Sequence, residues 1–252
     1  KIILVDLDDT LWGGSVGEVG WSNIKLGGHD PLGEAFTDFQ KTLKSMTRRG
    51  VLLGIISKNE EIVALEAIDK HPEMVLKRED FVGWRINWTD KAKNIWTLIK
   101  ELKLGIQSTV FIDDNPVERD RIREAIPEVL APEWPKDKMS YSRFLLGLTC
   151  FNPPAISQED SERTKMYQTE SQRTELKKNL GSLGEWLKTL ETKVVVEEIN
   201  ENNKTRASQL FNKTNQMNLS TRRMTEEELL NWVKEDSRRI WVFHVSDKIG
   251  DS

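Results

Sequence analysis

The chain has 252 residues, of which 37% are hydrophobic and 31% charged, with a formal net charge of −4 at pH 7. That length holds one large domain or two modest ones, and that balance suits a globular chain with a polar surface. No basic block marks a nucleic-acid face, no apolar run approaches the ~18 residues of a membrane span, and a single cysteine, Cys150, excludes an internal disulfide and a cysteine-based zinc cluster.

Ile2 to Val5 is a short β-branched run that reads as a buried strand. It is too short for the apolar stretch of a secretion signal and runs straight into acids, so a cytoplasmic location is expected. Gly13, Gly14, Gly17 and Gly20 then predict a loop or small hairpin. Glu34 to Met46 has Phe36, Phe39 and Leu43 on one helical face, and Arg49-Gly50 ends it. Val51 to Ile56 is a second buried strand. Glu60 to Asp69 reads as a helix with Asn59 as its N-cap. Lys91 to Leu102 is a helix stopped near Gly105, and Thr109 to Ile112 is a third buried strand. Val117 to Ala125 is helical, and Glu128 to Ala131 has the character of one more short strand.

Short apolar strands alternating with amphipathic helices predict an α/β fold: a parallel sheet with helices on both faces. Ligands of such sheets sit at the carboxyl ends of the strands. Asp6/Asp8, Ser57 and Asp113/Asp114 each lie just after a predicted strand, so neighbouring strands would bring them to one spot.

Composition changes after about residue 150. Asn152-Pro153-Pro154 is a break, which sets the domains at 1–155 and 156–252. In the second, Ser157 and Asp160 have capping-box spacing, and Glu159 to Leu190 is largely helical and strongly charged, interrupted by Gly181 and Gly184. Lys193 to Ile199 is a strand candidate. Arg206 to Phe211 and Thr225 to Lys234 read as helices, and Ile240 to Val245 as a last strand. This smaller α/β module is expected to be incomplete, since the chain stops at Gly250-Asp251-Ser252 without a terminating signal.

The acids carry the chemistry. Two carboxylates at i and i+2 beyond a buried strand are costly without a compensating cation. A Mg²⁺ ion takes oxygen ligands, and Asp113 and Asp114 add carboxylates from the third strand. Lys91 brings fixed positive charge, and Ser57 offers a hydroxyl to a phosphoryl oxygen. One carboxylate then attacks phosphorus, and the second moves the proton. Asp6, nearest the strand end, is the better placed nucleophile. A lone Asp-x-Asp is weak evidence, because aspartates also cap loops. The full order of strand-Asp-x-Asp-x-Thr, strand-Ser, helix-start Lys and strand-Asp-Asp is far more specific.

Asp6-Leu7-Asp8-Asp9-Thr10, Ser57, Lys91 and Asp113-Asp114 resemble the four motifs of the haloacid dehalogenase-like (HAD) superfamily. Longer strings are similar to the FkbH-like family: Thr10-Leu11-Trp12-Gly13-Gly14, Ile56-Ser57-Lys58-Asn59, Arg85-Ile86-Asn87-Trp88, Phe111 to Arg119 and Asn212 to Leu219. The resemblance implies a capless HAD-like Rossmannoid core at 1–155 and an acetyltransferase (GNAT)-like region at 156–252. It implies Mg²⁺ held through Asp6, Asp8 and Asp113, with Asp114 a further candidate. It gives Asp6 as nucleophile and Asp8 as acid/base, with Lys91 beside them, and puts Thr10, Ser57, Lys58 and Asn59 on the phosphate- and substrate-binding side.

The activity implied is removal of phosphate from 1,3-bisphosphoglycerate and loading of the glyceryl unit, as a thioester, on an acyl carrier protein for polyketide assembly. The chain could then belong to a larger synthase. Cys150 becomes a candidate acyl-accepting thiol, although a free cysteine also packs as a small hydrophobe. Arg222, Arg223, Arg238 and Arg239 are candidate contacts to an acidic carrier. A stand-alone phosphatase acting on a phosphoprotein or small phosphate ester is the alternative, and a non-catalytic carrier-docking module the third reading.

Overall fold

The computed structural model describes residues 1–151, 158–179, 190–213 and 223–248. The chain forms two compact units, Lys1–Ser171 and Gln172–Ser252.

In the first unit, β1 (Ile2–Val5), β2 (Leu52–Ser57), β3 (Trp84–Ile86) and β4 (Thr109–Ile112) form a parallel sheet in the order β3-β2-β1-β4. The fold class expected from sequence is the one observed. β1 and β2 bury every residue, because both sheet faces are covered. Ile3, Val5, Leu53, Ile55, Val110 and Ile112 face one core, with Phe36, Phe39 and Leu43 of α2 (Pro31–Thr47) and Ala64 and Ile68 of α3 (Glu61–Lys70). Ile2, Leu4, Leu52, Ile56 and Phe111 face the other, with Ile95 and Leu98 of α4 (Lys91–Glu101) and Ile122 of α5 (Pro116–Ala125). The strand period of two thus sorts side chains between the two layers. Gly54 is where these layers leave no room: a Cβ there would lie 2.8 Å from Leu4 Cδ2 and 3.2 Å from the Gly83 carbonyl.

Local signals differ from expectation in several places. Helix α2 begins earlier, because Asp30 accepts from Gly33 N at 3.0 Å and Pro31 takes the first helical position. α3 is preceded by Glu60 without a side-chain cap, so Asn59 is not its cap; its amide turns into the site instead. β3 has only three residues, too short for a periodic signal. Residues 128–131 do not form a full strand. Leu130 makes one parallel bridge beside Val110, with two hydrogen bonds to the Thr109–Phe111 backbone. The glycine-rich loop after β1 contains a single helical turn, α1 (Val16–Val19). Helix α6 (Tyr141–Gly147) was not expected. It buries Tyr141 and Leu145 against the α2 face of the sheet.

Helix α7 (Gln158–Asn179) runs through the division between units. Gln168 donates to the carbonyls of Glu79 and Phe81 at 2.8 and 3.0 Å, so the first part of α7 stays with the first unit. The first compact unit therefore runs on to Ser171.

The second unit has an antiparallel pair, β5 (Lys193–Glu198) and β6 (Trp241–Ser246), with α8 (Lys204–Lys213) and α9 (Glu226–Trp232). Ile199, Ala207, Met224, Leu229 and Val242 form its small core. α9 opens on a reciprocal capping box between Thr225 and Glu228. Asn152-Pro153-Pro154, Ser157, Gly181, Gly184, Arg222 and most of Asn212 to Leu219 lie outside the described residues. Among the described residues no helix is long and apolar enough to cross a membrane.

Candidate functional site

The register of the sheet delivers the acids to one place. Val5 pairs with Ile55 on one side and Ile112 on the other, so the residues after these strands emerge side by side. The Asp6 N–H donates to the Ile112 carbonyl at 2.9 Å, carrying the ladder one residue past the strand. Asp113 and Asp114 follow β4, and Asn115-Pro116 starts α5 at once, its amide oxygen accepting from Val117 N at 3.0 Å. Asp90 caps α4 through Ala92 N and Lys93 N, which sets Lys91 at the first helical position, pointing inward.

Lys91 is 3% exposed, and its ammonium lies between two acids, 2.6 Å from Asp113 Oδ2 and 3.1 Å from Asp6 Oδ1. Burial alone would lower its pKa, but Asp6 and Asp113 outweigh burial and raise it. Burial also pushes Asp6 up to about 7, with Asp113 adding to the rise and Lys91 and Ser57 opposing it. Asp113 is raised by burial too, again against Lys91.

Ligand atoms of Asp6, Asp113 and Asp114 lie within 4.8 Å of one another. Three carboxylates against one buried ammonium leave an excess of negative charge in a poorly solvated place. Asp6 Oδ1 is moreover sealed from solvent, with the Lys91 ammonium 3.1 Å away. That excess of negative charge and the all-oxygen donor set fit a hard divalent cation such as Mg²⁺.

Asp8 stands apart from this cluster. Its Oδ1 accepts from Trp12 Nε1 at 2.9 Å and Val16 N at 3.1 Å, and its Oδ2 accepts from Asn59 Nδ2 at 3.1 Å. Its carboxylate is therefore not gathered with the three metal-binding candidates, but it lines the same cavity. Thr10 is fully buried and tied to Asp114. Its Oγ1 donates to Asp114 Oδ1 at 3.3 Å and accepts from Asp114 N at 3.1 Å. Thr10 thus joins the loops after β1 and β4 and does not line the cavity.

That cavity holds about 420 Å³, and Asp6, Asp8, Ser57, Lys58, Asn59, Lys91 and Asp114 all line it. Lys58 Nζ lies at its edge, 2.6 Å from Glu118 Oε1. The chemistry supported is nucleophilic attack by a partly desolvated carboxylate beside fixed positive charge, with a second, hydrogen-bonded carboxylate nearby.

Cys150 is not brought to this cavity. It sits in a short turn after α6, half-buried against the main core. The next residue's carbonyl accepts from Arg49 at 3.3 Å, and Lys1 is close enough to act on the thiol electrostatically. Lys1 and Asp6 bracket β1, so the thiol lies near the opposite end of the strand, about 13 Å of β1 away from the acids. Burial raises its pKa, with Lys1 opposing.

The sequence reading missed several contributors. Arg119 is buried, and its Nη1 donates to the Asp113 and Asp114 carbonyls, both at 2.8 Å. An arginine in the first turns of a helix after an acid pair is a usable signal for this role. Glu118, Trp12, Lys138 and Tyr141 also hold site residues; Trp12 and Glu118 stand in the strings of the family resemblance without a role, and nothing marks Lys138 and Tyr141.

No protein-family model matches the chain, and no curated protein matches it. A solved structure does: the N-terminal part of the protein BF1531 from Bacteroides fragilis, containing a phosphatase domain and complexed with Mg. The two share 43% sequence identity with a TM-score of 0.60, over 62% of this chain and 42% of that one. The fold is HAD-like. The carboxyl edge of the sheet, where Asp6, Ser57, Lys91 and Asp113 meet, is the part of such a fold that carries ligands.

Proposed function

We propose that this chain is a Mg²⁺-dependent phosphatase that works through an aspartyl-phosphate on Asp6. The observation that carries this is the grouping of Asp6, Asp113 and Asp114, with Lys91 between Asp6 and Asp113, at the carboxyl edge of the sheet, where Asp6, Asp114 and Lys91 line one cavity. The Mg-complexed phosphatase domain of the similar structure supports the same reading.

Asp6, Asp113 and Asp114 would hold the ion, which when bound offsets negative charge on the phosphoryl oxygens and on the acids. Lys91 favours the ionised form of Asp6 against burial and supplies positive charge at the same site. The Ser57 hydroxyl and the Lys58 ammonium bind the phosphoryl group as it enters. An Asp6 oxygen attacks phosphorus, the phosphorus bond to the leaving oxygen breaks, and protonated Asp8 donates to that oxygen. Asp8, now ionised, takes a proton from water as the water oxygen attacks phosphorus. That step releases inorganic phosphate, frees Asp6 and returns the proton to Asp8.

The finer proposal is glyceryl transfer from 1,3-bisphosphoglycerate to an acyl carrier protein. A carrier thiol loses its proton and attacks the acyl carbon, the bond to the acyl phosphate's oxygen breaks, and inorganic phosphate leaves with that proton, giving a thioester; the Asp6 site removes the remaining ester phosphate. The FkbH-like strings support it. So does an apolar rim: Ile62, Trp88 and Val117 are 77%, 75% and 71% exposed, each within five residues of the end of β2, β3 or β4. Such a rim suits a protein-borne substrate. Arg223, Arg238 and Arg239 of the second, GNAT-like unit remain the proposed carrier contacts, with Arg222 outside the described residues.

Intact-mass analysis after incubation with 1,3-bisphosphoglycerate, Mg²⁺ and a carrier protein tests both levels. A glyceryl adduct on the carrier supports transfer, and phosphate release without an adduct favours the stand-alone phosphatase. Asp6→Asn that still removes an ester phosphate defeats the mechanism.

A further inference from the structure

Two side chains from a stretch without a sequence signal converge behind the acid pair. Lys138 Nζ donates to the Asp9 carbonyl at 2.6 Å, and the Tyr141 hydroxyl donates to the same oxygen at 3.3 Å. Asp9 has a φ of 53°, a left-handed conformation unusual for a residue with a side chain. Its own carboxylate accepts from Gly14 N at 3.0 Å. Asp9 is thus pinned on both sides in a turn it would not adopt freely, and that turn is what aims the preceding residue, Asp8, into the cavity.

The ammonium of Lys138 is itself held. It lies 5.2 Å from the Tyr141 ring centre and 5.9 Å from that of Phe36, and is 3.6 Å from Asp114 Oδ2. Tyr141 is fully buried and packs edge-on or tilted against Phe36, Phe39 and Trp134. A surface lysine usually keeps its ammonium in water. This one has a carbonyl, two ring faces and a carboxylate around it, with the Lys138 side chain only 22% exposed. It bridges the loop after β1, through Asp9, and the loop after β4, through Asp114.

We propose that Lys138 is a positioning residue for the phosphatase reaction: with Tyr141 it locks the Asp8–Asp9 turn so that Asp8 meets the leaving oxygen, and its charge tempers the Asp114 side of the metal cluster. The inference rests on the phosphatase reading given above. It makes two separable claims. The lock affects turnover through Asp8, whose carboxylate accepts from Trp12, Val16 and Asn59 and lies apart from the Asp6, Asp113 and Asp114 cluster. The charge affects cation affinity with the opposite sign to damage: removing a positive group 3.6 Å from a metal-binding carboxylate strengthens cation binding.

The test uses the full chain, p-nitrophenyl phosphate as substrate probe, and calorimetric titration of Mg²⁺ alone. Lys138→Met keeps the stem over the rings but loses charge and donor. Its kcat should fall about 10- to 100-fold with KM within twofold, since misplacing a reacting group costs turnover more than binding. Its Mg²⁺ affinity should equal or exceed that of the wild type. Lys138→Arg should recover most of the lost kcat, and Tyr141→Phe should lower kcat about threefold with Mg²⁺ affinity unchanged. A Lys138→Met kcat within twofold of wild type overturns the proposal. So does a loss of kcat and Mg²⁺ affinity together, or a Lys138→Arg variant no better than Lys138→Met. If Lys138→Met does not fold, Tyr141→Phe decides: lowered kcat at unchanged KM and Mg²⁺ affinity supports the lock, and unchanged kcat overturns it. A wild-type chain that binds Mg²⁺ but leaves the probe intact defeats the phosphatase reading instead. The Mg²⁺ titration of Lys138→Met then still decides the charge claim, tighter binding supporting it and weaker binding overturning it.

Discussion

Asn59 holds Asp8 from across the sheet: its amide nitrogen donates to Asp8 Oδ2 at 3.1 Å and to Ser57 Oγ at 3.3 Å. One buried amide thereby couples the loop after β1 to the loop after β2. Asn59→Ala removes a donor from the proposed acid/base and one of the hydrogen bonds that orient Ser57. Phosphate release should fall about tenfold in kcat, while stability drops by only about 1 kcal/mol, the worth of one hydrogen bond. Steady-state kinetics and urea unfolding on the same preparation check the contrast. Equal wild-type turnover would show that Asp8 needs no such hold.

The pKa of Asp6 turns metal binding into a pH-dependent stability. Burial raises Asp6 to about 7 and raises Asp113 as well, against the pull of Lys91. An acid whose folded pKa lies above its unfolded value binds more protons folded than unfolded. Its contribution is fully present below the ordinary carboxylate range and is lost as pH rises through about 7. The metal-free protein should therefore lose stability between pH 6 and pH 8. A cation that binds the ionised acids restores it, so Mg²⁺ should raise Tm more at pH 8 than at pH 6. Calorimetric scans with chelator and with Mg²⁺ at both pH values check this. A larger Mg²⁺ shift at pH 6 would contradict the placement of the ion on Asp6 and Asp113.

Lys91→Met tests the same charge balance from the other side. The ammonium is the cation 2.6 Å from Asp113 and 3.1 Å from Asp6, and both acids are buried. Its removal strands two carboxylates, which costs about 3 kcal/mol or more for a broken buried pair. The loss should be largest in chelator at pH 8 and should shrink at pH 5, where the acids protonate. A pH-independent loss would mean that Lys91 matters only for packing, for instance against the Phe111 ring 5.9 Å away.

Much of this site was legible in the sequence because each acid follows a strand that is apolar on both faces. Ile2–Val5 and Thr109–Ile112 announce parallel strands, and the parallel register then fixes where Asp6 and Asp113 emerge. Ser57 and Lys91 were found for the same reason, one at the end of β2 and one at a capped helix start. Three kinds of feature were not legible. β3 is too short to show a period, and the Leu130 bridge is a single pair. Asn59 has the chemistry of a helix cap, and only the folded loop shows that it serves Asp8 instead. Lys138 and Tyr141 act on a backbone carbonyl about 130 positions away, a contact that leaves no local pattern. Sequence spacing also placed Cys150 near a presumed module boundary, but spacing along the chain does not say at which end of the sheet a residue lies.

That last point makes Cys150 the sharpest test of how the two halves of the proposed chemistry are divided. The thiol lies by Lys1 and Arg49, near the start of β1, whereas Asp6 follows its end. Burial also raises its pKa, which keeps the neutral thiol dominant at pH 7 and makes it a slow nucleophile. Cys150→Ala should leave phosphate release within twofold of wild type and cost about 1 kcal/mol of stability, as expected for trimming a half-buried sulfur. Alkylation of the native protein by iodoacetamide at pH 7 should be slower than that of free cysteine and should accelerate as pH rises. If the carrier's own thiol takes the acyl group directly, glyceryl loading of the carrier also survives the substitution. A variant that still releases phosphate but no longer loads the carrier would instead require Cys150 to act at a step away from the Asp6 cavity. Intact-mass analysis of wild type after 1,3-bisphosphoglycerate, with the carrier withheld, would then show the glyceryl group on the enzyme itself.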